Sequence, residues 1–288
     1  MRKPKQPATM PSQETLSSRD ALPLNCCLAK TRRLADGKTV AGRNVTEHCR
    51  ITGAIAEMLL MRLPDAVRAL FPAHAIAAPL THDVGKVCPT FQEKIYRAIG
   101  LGAHRPELAN ADPNLEKEWG GHAAVSHAVL KKIQKDPYLP EVVGLHHGRN
   151  IDSTKPADSS LFGGKSWEDT RETLISLLTE GKDWPVLNGP EQALLLTGLT
   201  VVSDWIASGE IFDEPEQDWL PLIVPAVNAA GFQAPRVCKG LRFTDIFPFK
   251  ANPVQEAFFQ QVTGPGEYIM EAPMGLGKTE AALYAAYQ

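Results

Sequence analysis

The stretch Thr81–Lys86, THDVGK, places His82 and Asp83 side by side immediately after an apolar run at 75–80. A carboxylate in an apolar environment is costly unless it is paired with a cation or bound to a metal. Imidazole and carboxylate ligands together suit divalent transition metals. The dipeptide therefore has two interpretations: it is part of a metal site, or it is a polar pair satisfied at a helix end. Residues elsewhere in the chain decide between these two interpretations.

A second carboxylate stands alone in an apolar stretch. Asp204 is the only charged residue between Ala193 and Ala207, and the pattern predicts a helix from about Glu191 to Ser208. A helix that is apolar all round is expected at the centre of a domain. Its single carboxylate then needs a cation partner, so we expect Asp204 to share a cation site with Asp83.

Four further histidines lie on stretches with helical spacing of apolar residues, at 45–62, 122–135 and 139–147. We interpret these four as inward-facing ligand candidates: His48, His122, His146 and His147. A histidine on an apolar face is otherwise an ordinary core residue, and the helix dipole alone favours cationic side chains at a helix C-terminus. The remaining three are expected to be structural or exposed: His74, His104 and His127.

The candidate ligands exceed what one metal needs, and they suit two: His48, His82, Asp83, His122, His146, His147 and Asp204. Asp83 can bridge, because a carboxylate has two oxygens for two cations. Two metals roughly 3.5–4 Å apart clamp the attacking and leaving oxygens of a phosphoryl displacement, and water held between them becomes a nucleophile at neutral pH. This ligand chemistry favours manganese, iron, cobalt, nickel or zinc over magnesium. Lys86, one turn from Asp83, is expected to steady a phosphate or a bridging water, or to be a helix-end cation.

Composition narrows the class of protein. The chain has 288 residues, 43% of them apolar, and no apolar run long enough to span a bilayer. Five scattered cysteines without a Cys-x-x-Cys pair indicate reduced thiols and a cytoplasmic protein. The net charge is -3, although residues 1–50 hold ten Lys/Arg against four Asp/Glu, while 210–218 is acidic. A nucleic-acid path would therefore be a local groove. The polar segment 100–121 is expected to be a loop.

The character of the chain changes near its last forty residues. A strand pattern at 267–270 precedes EAPMGLGKT at 271–279 and a helical run to Gln288. This order is that of a phosphate-binding loop with Ala272 at the position of the usual first glycine. Backbone N–H groups around Gly275 and Gly277 would cradle phosphates, Lys278 would reach the outer phosphates, and Thr279 would hold magnesium. No acidic metal-binding segment or arginine finger follows, so we expect no working ATPase.

The order of these motifs carries a resemblance. The set EH at 47–48, THDVGK at 81–86, GH at 121–122, LHHG at 145–148 and SDW at 203–205 resembles the HD-superfamily metal phosphohydrolases. With FQ at 91–92 and the phosphate loop downstream, residues 40–288 resemble the nuclease–helicase family of type I CRISPR–Cas systems. NPVQ at 252–255 also resembles the glutamine motif by which superfamily 2 helicases bind adenine, which adds Gln255 to the ATP-binding residues.

The resemblance implies a mainly α fold, an HD-superfamily helical domain followed by the beginning of a RecA-like α/β helicase domain. It implies a disordered tail at 1–22, an HD metal-dependent nuclease domain at 23–230, a linker at 231–251 and the truncated start of a superfamily 2 helicase domain at 252–288. It further implies one metal at His48, His82, Asp83 and Asp204, and a second at Asp83, His122, His146 and His147.

The resemblance also implies the reaction and the partners. Single-stranded DNA would be nicked and degraded, fed by an ATP- and magnesium-dependent helicase after recruitment to a Cascade-type guide-RNA surveillance complex that carries an R-loop. We expect a monomer with two divalent transition metals, with Asp83 and Lys86 catalytic and with cleavage of already single-stranded DNA but no unwinding. Pro79 departs from the family pattern, because it breaks the helix expected before the motif.

Two other functions fit the same ligands. The first is an HD phosphohydrolase that acts on nucleotides or cyclic nucleotides. The second is a non-enzymatic DNA-binding or recruitment module with a structural metal. The fused phosphate loop and the basic N-terminal region favour the nuclease over the nucleotide phosphohydrolase.

Overall fold

The computed structural model describes residues 21–102, 105–108, 111–148, 162–233 and 238–288. Contacts between residues divide the chain into two compact units, one that ends at Gln233 and one that begins at Ala234. The first unit is a helical domain with one small hairpin, and the second consists of short helices and loops. The mainly α fold predicted from the sequence is therefore confirmed. None of the described helices has the length and apolar character needed to cross a bilayer.

The hairpin precedes the described α-helices and is antiparallel: β1 is Thr31–Arg33 and β2 is Thr39–Ala41. Within the described residues, the α-helices of the first unit are α1 Val45–Arg62, α2 Asp65–Arg68, α3 Ala77–Thr81, α4 Pro89–Ala98, α5 Pro113–Trp119, α6 Gly121–Ile133, α7 Leu139–Gly144, α8 Gly164–Thr179, α9 Pro190–Ala207 and α10 Ile223–Ala229. Those of the second unit are α11 Phe243–Ile246, α12 Pro253–Gln261 and α13 Lys278–Tyr287.

Helix α1 has the bounds that the sequence predicts. The Asn44 side chain caps its first turn by accepting a hydrogen bond from the Glu47 N–H, and Pro64 follows the last residues. Its buried side includes His48, Ile51 and residues one and two turns further on. Through this side α1 packs on α3, α9 and α10, and His48 points toward the centre of the domain.

Helix α3 is short and contains Pro79 at its third position. A proline in the first turn of a helix costs no hydrogen bond, because that N–H has no partner within the helix. The helix begins two residues before the proline and continues to Thr81, so Pro79 lies near the start of a short helix before the motif. His82 and Asp83 follow directly, and a 3₁₀ turn at Val84–Lys86 completes the motif.

Helix α9 is amphipathic and is not buried on all sides. Asp204, Leu196 and Ser203 are buried, but 74% of Leu194 and 69% of Trp205 are exposed. The expectation of a central helix is wrong because apolar composition shows what a helix could bury, whereas its neighbours decide how much of it is covered. The argument from Asp204 holds all the same, since this carboxylate lies on the buried side.

Two local expectations also fail. The segment 100–121, predicted as a loop, contains α5. The strand pattern at 267–270 forms no strand, and Ile269 is 88% exposed. A strand needs a hydrogen-bonding neighbour, and no described segment pairs with this one. The predicted tail, 1–22, lies outside the described residues apart from Ala21 and Leu22, and Leu22 is fully buried.

Gly85 allows the turn after the motif to approach α6 closely. A Cβ atom there would lie 2.1 Å from the His122 carbonyl oxygen and 2.5 Å from the Ser126 nitrogen. By contrast, Gly198 in α9 has open space around the same position. We expect Gly85→Ala to destabilise the domain by about 1–3 kcal/mol through overpacking. We expect Gly198→Ala to stabilise it by up to about 1 kcal/mol through helix propensity.

Urea unfolding followed by circular dichroism measures both changes. Equal effects of the two substitutions would contradict the close approach at Gly85.

Candidate metal centre

The seven predicted ligands meet at one place in the helical domain. They come from α1, from the α3 end, from the first turn of α6, from the turn after α7 and from α9, and they are, in chain order, His48, His82, Asp83, His122, His146, His147 and Asp204. Their ligand atoms form two groups, each with all atoms within 4.8 Å of one another: His48, His82, Asp83 and Asp204, here called the inner group, and His122, His146 and His147, here called the outer group.

Asp83 lies between the two groups. Its Oδ2 atom is 3.1 Å from His48 Nε2 and 3.2 Å from His82 Nε2. Its Oδ1 atom is 3.3 Å from His122 Nε2 and 3.5 Å from His146 Nε2. Each oxygen of this carboxylate therefore faces a different group of imidazoles, which is the geometry that a bridging ligand needs.

Backbone carbonyls orient two of the imidazoles. His82 Nδ1 lies 2.7 Å from the Pro79 carbonyl oxygen, and His146 Nδ1 lies 2.6 Å from the Val143 carbonyl oxygen. Because a carbonyl only accepts, each Nδ1 carries a hydrogen, and Nε2 is the atom left to bind a cation when the ring is neutral. Metal-binding histidines are commonly fixed in this way by their second nitrogen.

Several buried atoms in the centre lack a hydrogen bond. Asp83 Oδ1, His82 Nε2 and His146 Nε2 are buried and have no hydrogen-bond partner of suitable geometry, and Asp83 Oδ2 is approached by Lys86 as an ion pair. Such atoms are rare in proteins, because each loses its hydration without compensation. The donor set fits divalent transition metals: two imidazoles with two carboxylates in the inner group, and three imidazoles with the shared Asp83 in the outer group.

The charges of the centre depend strongly on one another. Burial lowers the pKa of His82, but Asp83 and Asp204 outweigh it and raise that pKa to about 10. Burial raises the pKa of Asp83, yet His82 and Lys86 hold it well below its usual value. The pKa of Asp204 is also lowered, against its burial, by His48 and His82. Both carboxylates therefore stay ionised at neutral pH.

His147 has the opposite shift. Burial, together with the neighbouring His146 and His122, lowers the pKa of His147 to about 4. Its Nε2 atom lies 2.9 Å from His122 Nε2. At neutral pH its imidazole is uncharged, as a metal ligand must be. His147 is also the exposed member of the outer group, so the outer group faces solvent while the inner group is fully buried.

Lys86 reaches the bridging carboxylate. Its Nζ atom lies 2.6 Å from Asp83 Oδ2, and its side chain is 12% exposed. Burial lowers the pKa of Lys86, but Asp83 and Asp204 outweigh it and raise that pKa. Lys86 is therefore a charged group inside the centre, in contact with a predicted ligand.

Of the histidines predicted to be structural or exposed, the two within the described residues, His74 and His127, do not join the two groups. His127 is buried, and its Nε2 atom lies 3.0 Å from Glu141 Oε1. His74 is exposed and adopts a positive φ of 58°. His104 lies outside the described residues.

In the second unit the predicted ATP-binding residues line one cavity of about 600 Å³: Gln255, Gly275, Gly277, Lys278 and Thr279. Lys278 Nζ donates to the carbonyl oxygens of Ala272 and Pro273 at 2.8 and 3.0 Å. Gln255 Nε2 donates to the Gly277 carbonyl at 2.8 Å. Gly275 and Gly277 have φ values of 83° and 68°, a backbone conformation that favours glycine.

Sequence reasoning missed side chains that support the centre. Arg43, 1% exposed, donates to four backbone carbonyls between Phe212 and Gln217 and so fixes the segment after α9. Nothing in the sequence separates this arginine from a surface cation. Gln92 was visible only as part of the FQ pair, and its contacts depend on the tertiary fold.

The fold and the centre define a helical domain of the HD type, with a histidine–aspartate pair at the middle of a divalent-metal site. The family described as "Cas3, HD domain" matches residues 28–212. The chain belongs to this family. The family match confirms the resemblance stated from the motifs, and at the level of the family it confirms the enzyme class, a metal-dependent nuclease.

Two curated relatives and a solved structure are similar to the chain. The CRISPR-associated endonuclease/helicase Cas3 of Thermus thermophilus is 30% identical over 281 residues, which cover 83% of this chain and 30% of the relative. The CRISPR-associated nuclease/helicase Cas3 of Streptococcus thermophilus is 27% identical, covering 72% and 27%. A crystal structure of T. fusca Cas3 has a TM-score of 0.57 at 26% identity, covering 93% of this chain and 34% of that chain. The chain thus spans less than a third of the curated relatives' length.

The raised pKa of His82 makes the cation-free protein sensitive to pH. Its pKa moves from 6.5 to about 10 on folding. The stabilisation by protonated His82 is therefore complete below about pH 6.5 and is lost as the pH rises toward 10. We expect the urea midpoint of chelator-treated protein to fall between about pH 6.5 and 7.5, below the range in which ordinary thiols titrate. Both carboxylates are ionised throughout this range and add no slope.

A His82→Gln variant is the control, and it should lose most of this slope. A wild-type midpoint that stays level or rises over the same range would contradict the assignment.

Proposed function

We propose that the helical domain cleaves single-stranded DNA by two-metal phosphodiester hydrolysis, as the nuclease of CRISPR interference. The observation that carries this proposal is Asp83, whose two buried oxygens face separate groups of imidazoles. A carboxylate in that position can hold two cations at the separation that phosphoryl transfer needs.

Each group would hold one cation. The inner cation would be bound by His48, His82, Asp83 and Asp204, and the outer one by Asp83, His122, His146 and His147. When bound, the cations supply a water of lowered pKa and stabilise the negative charge of the transition state. The buried carboxylates and imidazoles fix the ligand positions before substrate arrives, which removes the cost of reorganisation during the reaction.

The exposure of the ligands indicates how substrate approaches. The inner group is buried, whereas His147 is exposed and the His122 side chain is 15% exposed. A phosphodiester would therefore reach the centre from the side of the outer group. Lys86, already inside the centre, is the cation placed to steady a non-bridging phosphate oxygen or the attacking water.

The names of the relatives and a second sequence motif in this chain favour DNA over a free nucleotide as the substrate. Both curated relatives are named nuclease and helicase, and the sequence at 271–279 resembles a phosphate-binding loop. The basic N-terminal region gives weaker support than the sequence suggests. Lys30 pairs with Asp213 and Arg32 pairs with Glu214, so these two cations already neutralise acidic side chains.

We also propose roles for the rest of the chain. Residues 252–288 would be the start of a helicase domain, in which Lys278 and Thr279 hold the phosphates and magnesium of ATP. Residues 23–230 would form the nuclease domain, and residues 231–251 would form the linker. The protein would act in the cytoplasm as a monomer, loaded onto an R-loop by a guide-RNA surveillance complex. The support is the motif order and the names of the relatives.

Replacing the bridging carboxylate tests the reaction. We expect Asp83→Asn to lower manganese-dependent cleavage of single-stranded DNA at least about 1,000-fold, because several kcal/mol of charge stabilisation depend on the cation pair. His74→Gln, which removes an exposed histidine outside both groups, should cleave normally. Cleavage is followed on labelled DNA beside a panel of nucleotides and cyclic nucleotides, with circular dichroism as the test of folding.

Phosphate release from nucleotides with intact DNA would replace the proposal with a nucleotide phosphohydrolase. A structural metal would be favoured by a different result. In that case Asp83→Asn would fail to fold, while wild type and His147→Gln would both fold and neither would cleave DNA.

The number of cations tests the two-metal assignment. We expect wild-type protein to bind two manganese ions and His147→Ala to bind one, because the buried inner group keeps all four of its ligands. Calorimetric titration gives the number in each case. A single ion in both proteins would contradict the second site and leave the inner group alone to explain cleavage.

A further inference from the structure

The side-chain amide of Gln92 forms hydrogen bonds to two separate backbone segments, one at Leu28 and one at Lys86. Gln92 is fully buried on α4. Its Oε1 atom accepts a hydrogen bond from the Leu28 N–H at 2.9 Å. Its Nε2 atom donates to the Leu28 carbonyl at 2.9 Å and to the Lys86 carbonyl at 2.8 Å. Both amide hydrogens are used, so the side chain is held in one orientation and ties Leu28 to Lys86.

On the Leu28 side the connection continues to His48. Leu28 forms an isolated antiparallel bridge with Asn44. The side chain of Asn44 caps α1. The backbone carbonyl of Asn44 accepts a hydrogen bond from the His48 N–H at 3.1 Å. The first turn of α1, which carries an inner-group ligand, is therefore positioned against Leu28 through backbone hydrogen bonds.

On the other side the connection continues to Asp83. The Lys86 N–H donates to the Asp83 carbonyl at 2.9 Å, which closes the 3₁₀ turn. Two further side chains hold the same turn: Ser126 Oγ accepts the Gly85 N–H at 2.8 Å, and Arg171 donates to the Val87 carbonyl at 2.8 Å. Of these three anchors, Gln92 is the one that also bonds to Leu28.

We propose that Gln92 is a positioning residue of the metal centre, which sets the distance between His48 on α1 and the turn that carries Asp83 and Lys86. Gln92 itself reaches neither a ligand atom nor the substrate. Its effect passes through the 3.1 Å approach of His48 Nε2 to Asp83 Oδ2, a distance that two separate backbone segments must maintain. The part of this inference that concerns catalysis rests on the proposed nuclease function.

Gln92→Met tests the inference, because methionine has a similar length and cannot replace the three hydrogen bonds. Removal of a group that orients metal ligands typically costs 10–100-fold in metal affinity or activity. We expect manganese affinity, measured by calorimetric titration, to fall by about that factor, and kcat on single-stranded DNA at saturating manganese to fall by about 10-fold or more. The KM for DNA should stay within about 3-fold, because Gln92 does not face the substrate.

Arg62→Met is the matched control. Arg62 also joins two elements, since it donates from α1 to Asn228 at 2.7 Å and to the Phe232 carbonyl. It lies about 20 Å along the helix from His48. We expect Arg62→Met to lower the urea midpoint as Gln92→Met does, but to leave manganese affinity and kcat unchanged. Gln92→Glu, which keeps the acceptor and loses both donors, provides the measurement if Gln92→Met does not fold.

Three outcomes decide the matter. Folded Gln92 variants with wild-type manganese affinity and kcat would overturn the inference. Equal losses of manganese affinity in Arg62→Met would also overturn it, because general destabilisation would then explain the effect. A wild-type protein that binds manganese without cleaving DNA, together with weaker binding in Gln92→Met, would retain the positioning role and refute the nuclease.

Discussion

The burial of the Asp83 carboxylate is the constraint on which the domain depends. It is 1% exposed, and five side chains bring a nitrogen within 3.5 Å of its oxygens: His48, His82, Lys86, His122 and His146. An isolated buried carboxylate costs more than most domains can supply. Cations must therefore surround it, and the helices that bring them can pack only in arrangements that converge on this point. Folding and metal binding are coupled through one side chain.

The two groups differ in a way that divides their tasks. The inner group is buried, and its carboxylates hold the protonated state of His82 in place when no cation is bound. The outer group opens to solvent and contains a histidine whose pKa is lowered to about 4. A cation at the inner group would replace a proton inside the core, so it would act on stability as well as on chemistry. A cation at the outer group would lie where a phosphate can reach it.

The helices that carry ligands could be predicted because each places a polar residue in an otherwise apolar pattern, as at His48 and Asp204. What failed depended on neighbours that a local pattern does not contain. The exposure of Trp205 follows from what packs on α9, and the absence of a strand at 267–270 follows from the lack of a described pairing partner. The contacts of Gln92 could not be predicted for the same reason. A local helical pattern does not show that the Leu28 and Lys86 carbonyls lie beside its side chain.

The distribution of charge explains how a protein of net charge -3 could bind a polyanion. Lys30 and Arg32 form ion pairs with the acidic segment after α9, and Arg43 donates hydrogen bonds to the backbone carbonyls of that segment. These basic residues of the N-terminal region therefore order an acidic loop and give little net attraction for phosphate. Positive potential at the centre would come from Lys86 and, when they are bound, from divalent cations, which act over a short range at physiological ionic strength. Attraction of this kind would favour a phosphodiester that has already reached the outer group over one at a distance.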